Sequence, residues 1–232
     1  MTLSTPADVT LQTYSTGTEK QLQDALHELS GAGLSSAIRI FHPGPQAALE
    51  WLIPTALMLW IGEKYCGAFL EEAGKEHYQA LKRFTSRVFE KTLGNEATVT
   101  RTMRMVGGGT KPDVVFSGNL SIVYQAPSGW TVKLLFPLDI TSAQYEVACQ
   151  RFAELISAHV ARPETSPLSF EAVKTLREAS IGLPQSLQTQ DRWKTVRLLV
   201  FWNSTSEIFY VPDPIASGRQ GKLVARELGA EA

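Results

Sequence analysis

Catalysis or metal binding needs titratable or nucleophilic side chains brought together, and this chain offers few candidates. Its four histidines, His27, His42, His77 and His159, fall on separate predicted elements. A divalent ion needs several ligands converging at about 2 to 2.5 Å. No His-x-x-x-His or Cys-x-x-Cys spacing supplies them, so no metal and no cofactor is expected. Cys66 with His77, or Cys149 with His159, has the residue types of a nucleophile and its base. Each pair lies along one predicted helix about three turns apart, roughly 15 Å by the helical rise, too far for a hydrogen bond. Both cysteines are therefore expected to be free, buried thiols in a reducing cytoplasm.

Two further motifs fail on spacing. Gly107-Gly108-Gly109-Thr110-Lys111 could cradle an anion on its amides, but a P-loop needs four residues between its glycines and a helix after the lysine, and here Pro112 follows. The run reads as a loop between strands. Pro112-Asp113 ahead of a strand has the form of the opening of a metal-dependent nuclease core, yet no Glu-x-Lys stands on the next strands, where only Lys133 is available. If the chain is an enzyme with a site assembled only in three dimensions, Asp113, Lys133 and Asp139 around the sheet are the residues to carry it.

What remains is chemistry of surfaces. Trp51 and Trp60 bracket an apolar block, Trp51-Leu52-Ile53-Pro54-Thr55-Ala56-Leu57-Met58-Leu59-Trp60-Ile61-Gly62, and tryptophan is favoured where an apolar body meets water or headgroups. Arg83, Arg87 and Lys91 recur at i, i+4 and i+8, with Lys82 beside them and Arg101 and Arg104 on the next predicted strand. Such a stripe suits an anionic surface, although Glu90 and Glu96 interrupt it.

The elements that must place these residues follow from periodicity. Asp8–Tyr14 alternates as a strand. Thr18-Glu19-Lys20-Gln21 has capping-box spacing and opens a helix with Leu22, Ala25, Leu26 and Leu29 on one stripe. Leu34–Phe41 is a second strand, which makes residues 8–41 a small βαβ unit. Residues 47–93 read as one long helix, kinked at Pro54, apolar in front and amphipathic behind, with Phe84 and Val88 inward and a stop at Leu93-Gly94-Asn95. Period-two alternation then takes over at Val99–Met105, Leu120–Tyr124 and Trp130–Phe136, an antiparallel meander with one buried face. Thr141-Ser142-Ala143-Gln144 is another capping box, opening a helix with Tyr145, Ala148, Cys149, Phe152, Leu155 and Ile156 on one face, which covers that sheet. Beyond the linker Arg162–Pro167 come a short helix near Phe170–Ser180 and a hairpin, Thr195–Trp202 with Glu207–Val211, turned at Asn203–Ser206.

Size and composition bound the class. The chain has 232 residues, 44% apolar and 19% charged, with a net charge of -1 and a mean hydropathy of -0.07, as in ordinary globular proteins. That charge excludes a basic footprint over the whole molecule, so a nucleic-acid partner is not expected. The N-terminus lacks the basic and apolar regions of a signal peptide. No apolar run reaches the ~18 residues of a spanning helix, and a cytoplasmic location is expected. The fold class expected is α+β: a mixed or mostly antiparallel sheet packed by a long central amphipathic helix and a second helix. Residues 1–162 form the core, and residues 163–232 supply a linker, a short helix and a hairpin packed on it.

The leading functional expectation is a non-catalytic interaction or accessory module. It docks a protein partner or a second copy of itself through its apolar helix and sheet edge, with Trp51, Leu52, Leu57, Trp60, Ile61, Arg83, Arg87 and Lys91 as the interaction residues. The alternative is an effector that lays the Trp51–Gly62 block on an acidic membrane surface. At about 1.5 Å rise per residue a helical block spans about 18 Å, short of a ~30 Å hydrocarbon core, so it would lie in the interface.

Overall fold

The computed structural model describes residues 9–13, 22–23, 26–27, 29–31, 33–40, 57–61, 75–95, 97, 116–178, 196–213 and 222–229. The chain is an α+β protein built on a mixed eight-stranded sheet. Its strands are β1 (Val9–Thr13), β2 (Ser36–Ile40), β3 (Leu57–Ile61), β4 (Phe116–Gln125), β5 (Thr131–Pro137), β6 (Arg197–Asn203), β7 (Ile208–Pro212) and β8 (Ala225–Glu227), and their order across the sheet is β2-β1-β3-β4-β5-β6-β7-β8. Helix α1 is described at residues 22, 23, 26, 27 and 29–31. The other helices are α2 (Lys75–Thr92), α3 (Ser142–Ala161) and α4 (Pro167–Glu178), with a 3-10 turn at Pro163–Thr165.

The N-terminal βαβ unit forms as its pattern dictates, with β1 parallel to β2 and Leu22, Leu26 and Leu29 buried. The alternating runs at 120–124 and 130–136 pair antiparallel as β4 and β5. Their turn closes with the Ala126 N–H donating to the Trp130 carbonyl at 2.9 Å and Gly129 at φ 95, a conformation that glycine adopts without steric cost. The Thr141 box closes in both directions. The Thr141 hydroxyl accepts from the Gln144 N–H at 3.3 Å, and the Gln144 side-chain oxygen accepts from the Thr141 N–H at 3.0 Å. The C-terminal hairpin forms as β6 and β7.

One core lies between the helices and one face of the sheet. Leu11, Leu59, Ile122, Leu134 and Val200 from successive strands meet Phe84, Val88, Phe152 and Ile156 from α2 and α3 in a single apolar cluster. Tyr145 sits at its centre, with ring centroids 5.1 Å from Phe89 and 5.0 Å from Phe136, both tilted. The opposite face is buried as well. A second cluster there joins Phe116, Leu135, Leu199 and Phe201, and Ser121, Val123 and Lys133 on that face have no solvent exposure.

The main correction concerns the apolar block. Residues 57–61 are not the front of a long helix but strand β3, in the interior of the sheet, antiparallel to β1 and parallel to β4. The described helix that follows is Lys75–Thr92, and residues 62–74 lie outside the described residues. A strand buried on both faces carries apolar side chains at consecutive positions, so its sequence lacks the alternation that marks a half-buried strand. Trp51–Ala56, with Pro54, and the Val99–Met105 run lie outside the described residues. At its other end the sheet continues past the hairpin. β7 is not the end of the sheet, because β8 pairs with it through Val211 and Arg226.

Candidate functional site

The described residues among those singled out for interaction do not share one surface. Leu57 is fully buried and Ile61 is 5% exposed, both in the chain's own core. Trp60 is half-buried and donates its indole N–H to the Gln12 side-chain oxygen at 2.9 Å. These three positions belong to strand β3 in this fold. Trp51 and Leu52 lie outside the described residues, as do Arg101 and Arg104. Arg83 and Arg87 are exposed on α2 and Lys91 is half-buried. Lys82 is taken up by an ion pair with Glu146 of α3 at 3.2 Å. No described helix is long and apolar enough to cross a membrane.

Among the described residues no three of His, Cys, Asp and Glu gather as a metal site. His27 is exposed. His159 is buried, its ring 5.2 Å from Trp130 and edge-on to it, with Nδ1 3.3 Å from the Ser169 hydroxyl. It joins α3 to α4. Lys133 is fully buried in β5 and Asp139 lies on an exposed loop. His42, Cys66, the 107–109 glycines and Asp113 are outside the described residues, and His77 lies on α2 with its side chain undescribed.

Cys149 is a buried free thiol. Burial pushes it from its ordinary 9.0 up to about 12; the Tyr145 side chain opposes the rise by hydrogen bonding, and the Glu146 charge adds to it. Thiolate is the reactive form, so iodoacetamide at pH 8 is expected to leave Cys149 of the folded chain unmodified and to alkylate it in urea, as mass spectrometry of the peptide will report. The sign of the linked stability follows. Below pH 9 both states hold the proton. Above it the unfolded chain releases the proton first, so the contribution of this thiol to stability is lost progressively as pH rises from 9 towards about 12.

Two places remain where described groups face outward in an organised way. The first is β2, the outermost described strand next to β1. The Val9 N–H donates to the Ser35 carbonyl at 3.1 Å. In a parallel ladder that phase turns the backbone groups of Ala37 and Arg39 towards β1 and those of Ser36, Ile38 and Ile40 away from it. The register Leu11↔Ile38 puts Ile38 and Ile40 on the helix-covered face. Ile38 packs on the core there, while Ile40 is 37% exposed.

The second is a cleft of about 440 Å³ where the parallel strands β5 and β6 end. Asp139 and Thr141, from the β5–α3 loop, and Gln144, from the first turn of α3, form one wall. Asn203, Ser204 and Thr205, from the β6–β7 turn, form the other, over Phe201 and Trp202. Gln144 bridges the walls, its amide nitrogen donating to the Ser204 hydroxyl at 3.2 Å. The Asn203 side-chain oxygen accepts from the N–H groups of Thr205 and Ser206 at 2.9 and 3.3 Å, which holds the turn. The cap and the turn are each readable in the sequence. Their convergence is not, because it depends on β5 and β6 pairing in parallel across α3 and α4.

No protein-family model matches the chain, and neither does any curated protein or solved structure.

Proposed function

We propose that the chain is a non-catalytic interaction module that docks a protein strand on the outer edge of β2, a second copy of itself being the partner. The observation that carries this reading is the edge itself. Five residues of strand present outward backbone groups at Ser36, Ile38 and Ile40, with no partner strand among the described residues. Such an edge is a template for strand addition. Two β2 strands running antiparallel about a two-fold axis at Ile38 place Ile38 opposite its equivalent and Ile40 opposite Ser36, which extends the apolar face across the joint. Arg39 projects to the other face and does not block it.

Sedimentation velocity over a concentration series tests this. The wild-type chain is expected to dimerise with a Kd of about 1–100 µM. Ile38→Pro removes an outward N–H, a placement that edge strands tolerate, and Ile40→Lys puts a charge on the joint. Both are expected to remain monomeric with an unchanged circular dichroism spectrum. A wild-type chain that stays monomeric throughout, or a dimer indifferent to both substitutions, would overturn the proposal.

A further inference from the structure

The β6–β7 turn opens with Asn203-Ser204-Thr205, the Asn-x-Ser/Thr spacing of an asparagine glycosylation acceptor with a middle residue other than proline. Asn119-Leu120-Ser121 has the same spacing, so spacing alone does not choose between them. Their surroundings in the fold do. We propose that Asn203 is a glycosylation acceptor and that Asn119 is not, a reading independent of the β2 edge.

A transferase must reach both ends of the motif, the acceptor amide and the hydroxyl two residues on, which is why the motif is used in surface loops. At Asn119 neither end is available. Its Nδ2 donates to the Thr92 carbonyl at 2.8 Å, the residue lies within β4, and Ser121 has no solvent exposure. At Asn203 both ends are available. Asn203 is half-buried, and Ser204, Thr205 and Ser206 are exposed. The Asn203 Oδ1 accepts from the N–H groups of Thr205 and Ser206, and because the side-chain amide is planar its Nδ2 is directed away from those bonds. Neither Nδ2 nor the Thr205 hydroxyl has a hydrogen-bond partner among the described residues.

An amide nitrogen is a weak nucleophile, its lone pair being delocalised into the carbonyl, so the sugar must arrive activated. A glycosyl diphosphate, nucleotide-linked or lipid-linked, is such a donor. The bond from Nδ2 to the anomeric carbon forms, the bond from that carbon to the diphosphate oxygen breaks with its electron pair, and Nδ2 gives one proton to a base of the transferase. The product carries a bulky, solubilising group at the surface. β6 lies five strands from β2 in the sheet, roughly 24 Å at the usual strand spacing, so the glycan leaves the β2 edge clear.

The test is peptide-level mass spectrometry of the full chain isolated from the cells that make it, with variants expressed in the same cells. A glycan is expected on the peptide carrying Asn203 and none on the peptide carrying Asn119. Thr205→Ala removes the hydroxyl but keeps the N–H that the Asn203 oxygen holds, and it is expected to abolish the modification. Thr205→Ser is expected to restore it. Residue 205 is exposed, so both variants are expected to keep the wild-type unfolding transition. A monosaccharide and an oligosaccharide on Asn203 both bear the proposal out, the first from a nucleotide-linked donor and the second from a lipid-linked one. An unmodified Asn203, a glycan on Asn119, or a modification that survives Thr205→Ala would each overturn it.

Discussion

Leu59→Ala is expected to lower the unfolding free energy by about 3–5 kcal/mol, the upper part of the range for truncating a buried leucine. Leu59 is fully buried. It stands in an interior strand between Leu11 of β1 and Ile122 of β4, and all three side chains belong to the main core. The strands on both sides are held by backbone hydrogen bonds, so the surroundings cannot collapse into the void, and a void that stays open costs the most. Urea denaturation measures the effect as a shift of the midpoint at constant slope. Alanine at the neighbouring Trp60 is expected to cost less, because that ring is half-buried and loses one hydrogen bond to Gln12. A loss below about 1 kcal/mol at Leu59 would mean that this position does not lie in a closed core.

The second large effect is expected at the other end of the sheet. β8 is three residues long, and its Arg226 forms an ion pair with Glu171 of α4. Glu171 is 5% exposed. Arg226→Met leaves that carboxylate in the interior without its cation. Breaking a buried pair in this way costs about 3–5 kcal/mol. The Arg226 side chain is 35% exposed, so solvent screening brings the expected loss to about 2–3 kcal/mol. The control is the double variant Glu171→Leu/Arg226→Met, which removes both charges. It is expected to recover at least half of the loss, measured as a coupling energy from the four urea unfolding curves. If the double variant is no more stable than Arg226→Met, the arginine acts through packing of its stem and not through its charge.

Much of the fold was legible from local rules. The period-two runs at 120–124 and 130–136 became β4 and β5, the Thr141 box formed with both of its hydrogen bonds, and α2 places Phe84 and Val88 inward with Arg83 and Arg87 outward. These features depend on contacts within one element or one turn, and a side chain's neighbours there are fixed by its spacing in the chain.

The Leu57–Ile61 segment shows where that reasoning stops. A run of consecutive apolar residues is compatible with a helix hidden all round or a strand covered on both faces, and periodicity alone does not separate them. The choice was made by β1 and β4, which offer hydrogen-bonding edges on either side from residues about 50 to 60 positions away, a distance that local propensity does not sense. The same non-local pairing made β2 the outermost described strand and brought the α3 cap to the β6–β7 turn to form the cleft. Thus the amino-acid sequence by itself determined the α+β class, the βαβ opening, the caps and the hairpin, because each is an energy summed over neighbours in the chain. The tertiary structure alone decided which strand lies inside, which strand is outermost among the described ones and which polar groups converge, because those are settled by partners distant in sequence competing for the same hydrogen bonds and the same buried area.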